Sequence, residues 1–185
     1  MSLLTPTVAV LDAAIDGDRR VLEHTLGCEI ADGWDVFSGA LPRIRDALAD
    51  DSGAARWGAR LFILDDPRTL IGWGGFKGAP RHGVVEIGYA IAPHWERRGL
   101  ATASVCELLR EAFAAEEVQT VLAHTLAEPG PSVHVLEKTG FVHDGEVGDR
   151  EVGTAWRFRL DRVARSARTA LTDPRPTRTD QRRTR

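Results

Sequence analysis

The feature that most constrains this chain is the segment Pro93–Ala103, P-H-W-E-R-R-G-L-A-T-A, which joins two regular patterns. The apolar, β-branched run Val84–Ala92 before it is typical of a strand, and Thr102–Glu116 after it has the apolar spacing of a helix. The first N–H groups of a helix lack intrahelical partners, and the helix dipole adds partial positive charge there. Gly99 lets backbone approach a ligand closely. The segment therefore predicts an anion site, with phosphate as its natural ligand.

The rest of the chain alternates between strand and helix patterns. The predicted elements, in chain order, are a strand at Thr7–Ala14, helices at Arg19–Leu26 and Val36–Leu48, strands at Ala59–Leu64, Thr69–Phe76 and Val84–Ile91, a helix at Thr102–Glu116, a strand at Thr120–Leu126, a helix at Ser132–Thr139, and strands at Phe141–Gly145 and Thr154–Asp161. The helix between Val84–Ile91 and Thr120–Leu126 predicts that these two strands are parallel. Gly72, Gly74 and Gly75 precede a turn, so they predict a bulge or a close backbone approach. This order predicts an α+β fold, a mixed sheet with helices on both faces.

Charge is unevenly distributed along the 185 residues, which are expected to form one domain over 1–161 followed by a tail. The whole chain has a formal charge of −3, whereas the tail 162–185 has eight arginines against Asp173 and Asp180, which leaves about −9 on the body. An acidic body suits amine ligands and makes nucleic acid an unexpected partner. The tail has almost no large apolar residues and is predicted to be disordered, with contact to nucleic acid or an acidic partner as the alternative.

Cysteine usage and hydropathy limit the class of protein further. Cys28 and Cys106 lie far apart and form no Cys/His cluster, so we expect neither a metal site nor a disulfide framework. No apolar run has the length of a membrane span, and the aspartates Asp12, Asp16 and Asp18 interrupt the N-terminal region too early for a signal peptide. We therefore expect a cytoplasmic protein with no membrane partner.

Three further segments, together with the anion turn, resemble the GNAT acyl-CoA N-acyltransferases. They are I-G-W-G-G-F-K-G (Ile71–Gly78), V-E-I-G-Y-A-I (Val85–Ile91) and A-H-T-L-A-E-P-G-P-S-V-H-V-L-E-K-T-G-F (Ala123–Phe141). Within that family the chain looks most like the branch of ribosomal-protein N-terminal acetyltransferases (RimJ/RimL-like). The resemblance covers residues 8–161. It implies the GNAT fold, a mostly antiparallel central sheet of about six to seven strands with a splayed parallel pair.

The resemblance also implies a site for acetyl-CoA as co-substrate. The family's pyrophosphate turn, Gln/Arg-x-x-Gly-x-Gly/Ala, falls on Glu96–Ala101, where the first residue is Glu and is expected to pair with a neighbouring arginine. The residues expected to contact CoA are Ile91, Ala92, Arg97, Arg98, Gly99, Leu100, Ala101, Thr102 and Ser132. The Asn that the family often has near Ser132 is Pro129 here, so one contact with the CoA arm is expected to be missing or supplied by backbone. An exposed helix start without a ligand is the alternative for the turn.

Acetylation of an amine needs a group that removes a proton and a group that protonates the leaving thiolate. Glu86 is the candidate base, because burial in an apolar strand raises the pKa of a carboxyl; the alternative is a Glu that holds the neighbouring loop through backbone hydrogen bonds. Ser132 is the candidate acid, because the family's frequent Tyr is Leu136 here, although a helix cap is the favoured role for this Ser. Tyr89 is expected in the core, and His124 is expected to be structural rather than part of a proton relay.

These features predict an acetyl-CoA-dependent N-acetyltransferase that acts on a primary amine by direct transfer in a ternary complex. The acceptor is a protein N-terminus or a small amine, and a homodimer is left open. Trp34, Phe37, Trp57 and Trp73 are expected to surround the acceptor, with ordinary packing as the alternative. The rival function is that of a CoA-binding sensor or pseudoenzyme. The absence of the family's Asn and Tyr, replaced by Pro129 and Leu136, favours this alternative. A nucleotide-binding module is disfavoured, because the Gly-rich phosphate loop motifs are missing.

Overall fold

The structure is a computed structural model that describes residues 1–149 and 153–165. Its elements are β1 (Ser2–Leu4), α1 (Val8–Ile15), α2 (Arg19–Leu26), β2 (Glu29–Ile30), α3 (Leu41–Asp50), β3 (Ala59–Asp65), β4 (Arg68–Phe76), β5 (Val84–Ile91), α4 (Leu100–Ala114), β6 (Thr120–Leu126), α5 (Pro131–Thr139), β7 (Val142–Asp149) and β8 (Gly153–Asp161). Short 3₁₀ turns precede α3, β3 and α4, at Ser38–Ala40, Ser52–Trp57 and Pro93–Trp95. None of the helices in these two ranges is both long and apolar enough to cross a bilayer.

The strands form one mixed sheet, in the order β1-β3-β4-β5-β6-β8-β7, with the short β2 beside β4. Within the described residues, every neighbouring pair is antiparallel except β5 with β6 and β2 with β4. The predicted α+β fold, with a mostly antiparallel sheet and a parallel pair across the α4 connection, is confirmed.

Helices cover both faces of the sheet, as predicted. Alternation along β5 places Val85, Ile87 and Ile91 on one face, where they are buried with Leu108 of α4 and Leu136 of α5. A second core on the other face joins α1, α2 and α3 to the sheet through Leu11, Leu22, Leu41, Ile63 and Trp73. The sheet therefore has an α4–α5 side and an α1–α3 side, and the even-numbered residues of β5 point toward the latter.

The first predicted strand is wrong, because Thr7–Ala14 lies almost entirely in α1. The Thr7 hydroxyl caps this helix by accepting a hydrogen bond of 3.3 Å from the Val10 N–H. The residues buried against the second core are Val10, Leu11 and Ala13. A short apolar run fits the helix and strand periods almost equally well, so tertiary packing decided between them. The edge strand is Ser2–Leu4, which pairs antiparallel with β3.

The glycines of β4 produce both the bulge and the close backbone approach that were predicted. The β3–β4 register shifts between Phe62 and Ile63, which pair with Gly72 and Leu70. A Cβ on Gly72 would lie 2.2 Å from the carbonyl oxygen of Ala90 on β5. Only glycine allows the two strands to lie this close together.

The ordered chain continues beyond the predicted domain boundary at Asp161. The Arg162 guanidinium donates hydrogen bonds to the carbonyl oxygens of Phe113, Ala115 and Val118, where α4 ends, at 2.9, 2.6 and 2.9 Å. The Phe113 carbonyl lies in the last turn of α4, where a helix end leaves carbonyls without intrahelical partners, and the Ala115 carbonyl also accepts from the Val118 N–H at 3.1 Å. Arg162, the first residue of the predicted tail, thus packs against the end of α4, and the boundary itself remains a prediction. Most of the predicted tail, residues 166–185, lies outside the described residues.

Candidate active site

The parallel strands β5 and β6 separate to form a slot in the sheet. Their pairing runs from Val84 opposite Thr120 to Ile87 opposite Ala123 and then stops, although both strands continue. β5 keeps its pairing with β4 as far as Ile91, and β6 keeps its pairing with β8. The predicted splay of the parallel pair is confirmed.

One wall of this slot presents free backbone groups of β5. The Ala92 N–H donates to the Ile71 carbonyl at 2.7 Å, which makes Gly72 and Ile91 a non-hydrogen-bonded pair of the antiparallel ladder. The N–H and C=O of Ile91, and by alternation those of Tyr89, therefore point away from β4 and toward the slot. The Ala92 N–H donates to Ile71 and its C=O accepts from Trp95, so Ala92 has no free N–H, and its contact with the acyl arm remains a prediction.

The basic turn before α4 has the backbone geometry of an anion site. Arg97 and Gly99 adopt left-handed conformations, with φ of 59° and 77°, and the helix begins at Leu100, two residues before the predicted start. No side chain caps the helix, and the first N–H that bonds a preceding carbonyl is that of Ala103, to Gly99. The N–H groups of its first three residues, Leu100, Ala101 and Thr102, thus remain available. A Cβ on Gly99 would have no neighbour within 4 Å, so the turn is open to a ligand.

The charged side chains of this turn are exposed. The Arg98 guanidinium lies over the ring of Trp95, 4.8 Å from its centroid, in a cation–π contact that fixes its position. Arg97 adds a second positive charge. The expected pairing of Glu96 is not observed, because Glu96 forms no ion pair with an arginine among the described residues. These features fit the pyrophosphate of CoA, with backbone N–H donors, a helix N-terminus and two guanidinium groups.

Glu86 lies on the α1–α3 side of the sheet, just before the slot opens. Its Oε1 lies 2.5 Å from Lys77 Nζ and 2.8 Å from His124 Nδ1. Burial raises the pKa of Glu86, but the hydrogen bonds from Lys77 and His124 outweigh it and hold that pKa below the ordinary value. The raised pKa that we expected from the sequence is therefore wrong, while the assignment of Glu86 as base remains a prediction. The alternative role, in which Glu86 holds the neighbouring loop through backbone hydrogen bonds, is not observed, because both partners of its carboxylate are side chains.

Tyr89 and Ser132 meet on the opposite, α4–α5 side of the slot. The Tyr89 hydroxyl donates a hydrogen bond of 3.1 Å to the Ser132 carbonyl, and burial raises the pKa of Tyr89 well above its ordinary value. The phenol therefore remains protonated at neutral pH. The favoured cap role of Ser132 is wrong, because Gly130 is the N-cap of α5 and Ser132 lies exposed in its first turn. Ser132 as the acid is still a prediction, and Leu136, at the family's Tyr position, is fully buried.

The aromatic residues expected around the acceptor separate into two groups. Trp73 lies on the α1–α3 side, where its Nε1 donates to the Val36 carbonyl at 2.6 Å and holds the segment 31–37 against β4. Beside that segment is a pocket of about 210 Å³, lined in part by Ala14, Leu22, Asp32, Trp34 and Asp35. Trp57 packs edge-on against Phe76, with ring centroids 5.0 Å apart, in the core under α4. Trp57 therefore lies on the α4–α5 side of the sheet, opposite Trp73.

Sequence reasoning missed the role of Lys77. It is one of two lysines in the chain, and it follows β4 at the position whose N–H bonds the Glu86 carbonyl. That hairpin register, had it been derived from the sequence, would have placed the two side chains on one face.

Among the described residues no three His, Cys, Asp or Glu side chains are grouped to hold a metal ion.

Comparison with known proteins identifies the fold. The family described as "Acetyltransferase (GNAT) domain" matches residues 8–142. The uncharacterized N-acetyltransferase YjdG of Bacillus subtilis is 29% identical over 146 residues, which are 77% of this chain and 86% of that protein.

Solved structures show the same fold at lower identity. A point mutant of the spermidine N-acetyltransferase SpeG from Vibrio cholerae superposes with a TM-score of 0.66 at 16% identity, over 91% of this chain and 99% of that one. RimJ from Mycobacterium smegmatis, solved in complex with CoA-disulfide, gives a TM-score of 0.64 at 21% identity. The superposition covers 92% of this chain and 88% of RimJ. At these identities the two superpositions show a shared fold, and the RimJ/RimL-like branch remains a prediction from the sequence. The slot, the turn and these matches together show that the chain belongs to the GNAT acetyltransferase family.

Proposed function

We propose that this acetyltransferase moves an acetyl group from acetyl-CoA to a primary amine, with both substrates bound at once in the slot between β5 and β6. The observation that carries the proposal is the two-sided arrangement of the slot. The anion turn and the α5 start lie on one side of the sheet, and the Glu86–His124 pair lies on the other. The donor and the acceptor can therefore approach the reacting carbon from opposite faces.

The chain's own groups supply the steps of the transfer. The turn N–H groups with Arg97 and Arg98 hold the pyrophosphate, and the Ile91 N–H in the slot polarises the thioester carbonyl as an oxyanion donor. Acetyl-CoA supplies the activated acyl group. The Tyr89 hydroxyl, next to the exposed Ser132, is a proton donor for the thiolate in place of the missing Tyr at Leu136.

The acceptor is proposed to be a cationic amine. The chain before the tail carries a formal charge of about −9, although the Asp32, Glu86 and Asp144 carboxylates are themselves ion-paired with Arg19, Lys77 and Arg157. Opposite charge concentrates such a ligand near the slot. Spermidine, the substrate named for SpeG, and a peptide with a free α-amine are representative candidates.

Cys28 and Cys106 are both free thiols, which supports a reducing, cytoplasmic setting.

The test is an amine panel with acetyl-CoA, followed by release of free thiol. The panel contains spermidine, a peptide with a free N-terminal alanine, and the same peptide with a blocked N-terminus and an internal lysine. We expect thiol release that depends on one of these amines, above the rate with acetyl-CoA alone. CoA binding without turnover on any amine contradicts the proposed activity and favours a CoA sensor, whereas no CoA binding contradicts the assignment of the turn.

A further inference from the structure

His124 occupies the point where the slot opens, and this position gives it access to the reacting atoms. The last residue of β6 that pairs with β5 is Ala123, so His124 is the first residue beyond this parallel ladder, although it still pairs with Arg157 of β8. Alternation along the parallel strands places it on the same face as Glu86, the α1–α3 side. Its side chain is 22% exposed, so the ring is held by the sheet but open at one edge.

The contact with Glu86 determines which ring nitrogen of His124 carries the hydrogen. Glu86 Oε1 also forms an ion pair with Lys77 Nζ. The carboxylate is therefore ionised and can only accept hydrogen bonds. Nδ1 of the neutral imidazole must therefore be the protonated nitrogen at this contact. The lone pair is then on Nε2, for which no partner is found among the described residues.

The charges that face His124 come from three neighbouring elements. Glu86 lies on β5, and Lys77, which follows β4, is paired with it. On β8, Arg157 stands directly opposite His124 in the ladder, but its guanidinium is bound to the Asp144 carboxylate and carbonyl of β7, each at 2.9 Å. Each strong charge near the His124 ring therefore has a counter-charge. The same is true of Arg159, further along β8, which pairs with Asp161.

We propose that His124 is the general base of the acetyl transfer and that Glu86 is its positioning residue, a deeper assignment that rests on the proposed function. A carboxylate stabilised by two donors binds a proton poorly, whereas an imidazole ordinarily titrates near neutrality, where a base is most effective. Nε2 takes one proton from the amine nitrogen as the C–N bond forms. The C–S bond breaks with its electron pair left on sulfur, the Tyr89 hydroxyl gives the thiolate one proton, and the imidazolium restores the Tyr89 proton through water. A neutral amine and acetyl-CoA thus yield an amide and a free thiol.

The test compares three variants with the wild-type protein, using the best amine of the panel. His124→Gln removes the base, Glu86→Gln keeps a hydrogen-bonding partner for Nδ1 without the charge, and His24→Gln alters a histidine on α2 as the matched control. His124→Gln should lower kcat by about a hundredfold, abolish the acid limb of the kcat/KM profile and leave CoA affinity unchanged. Glu86→Gln should lower kcat by about tenfold, because the uncharged amide no longer holds the Nδ1–H or stabilises positive charge on the ring.

Nitrogen NMR of the histidine ring gives a readout that does not depend on turnover. The wild-type spectrum should show the Nδ1–H tautomer of His124, and Glu86→Gln should weaken that preference. A dominant Nε2–H tautomer overturns the inference. So does a Glu86→Gln protein that loses all activity while His124→Gln keeps its rate and its acid limb, because the carboxylate is then the base. If wild-type protein releases no thiol with any amine, the proposed function fails and the inference fails with it.

Discussion

Replacement of Gly99 by Ala tests whether the turn before α4 binds the CoA pyrophosphate. Gly99 has φ of 77°, and a non-glycine residue in this region costs about 1–2 kcal/mol. An added Cβ would meet nothing within 4 Å, so the substitution strains the backbone without a clash. A small rotation of the turn that relieves part of this strain re-aims the free N–H groups of Leu100, Ala101 and Thr102.

The expected loss of CoA affinity follows from those N–H groups. A hydrogen bond to a charged acceptor contributes about 1.5–3 kcal/mol, so the loss of one of them weakens CoA binding roughly tenfold to a hundredfold. Isothermal titration with CoA measures this effect. Pantetheine, which lacks the pyrophosphate, should bind the variant and the wild-type protein equally.

Gly27→Ala is the matched control. Gly27 is left-handed with φ of 59°, has no neighbour within 4 Å of a built Cβ, and ends α2 away from the slot. Both variants should lose about 1–2 kcal/mol of unfolding free energy, a fall in Tm of roughly 2–8 °C. Only Gly99→Ala should lose CoA affinity, and equal CoA affinities in the two variants would refute the assignment of the turn.

Three other perturbations test contacts around the slot and the chain end. Tyr89→Phe removes the hydroxyl bond to Ser132 and should lower the free energy of unfolding by about 1 kcal/mol in urea titrations, so an unchanged midpoint speaks against that bond. Arg162→Ala leaves the Phe113 and Val118 carbonyls without this donor, whereas Ala115 keeps the Val118 N–H, and it should cost about 2–4 kcal/mol; a cost below about 1 kcal/mol argues against the anchor. The pKa of Glu86 is lowered on folding, so its stabilising contribution is present above the ordinary carboxyl pKa and is lost as pH falls through the folded value. Glu86→Gln should therefore flatten the decline in unfolding free energy between about pH 5 and pH 3, whereas identical slopes contradict the lowered pKa.

The chemistry of Glu86 shows why a site cannot be derived from one strand alone. Within β5 the residue is a carboxyl among apolar neighbours, which predicts a raised pKa. Its two hydrogen-bond partners, Lys77 and His124, come from the hairpin turn and from β6, and His124 is 38 residues away in the chain. Strand register brought them together, and their hydrogen bonds reversed the direction of the shift.

The sequence alone determined the features that depend on local pattern. Periodicity identified most helices and strands, and the basic Gly99 turn between a strand and a helix identified the donor site, because backbone conformation and free helix N–H groups are properties of a short segment. The tertiary structure decided whether Thr7–Ala14 was helix or strand, which buried face each element presented, and which distant side chains met. The Tyr89 contact with Ser132 spans 43 residues, and the Arg162 contacts cross from β8 to the end of α4. Such contacts depend on where the strands part and how α5 docks, and only the packed fold fixes those positions.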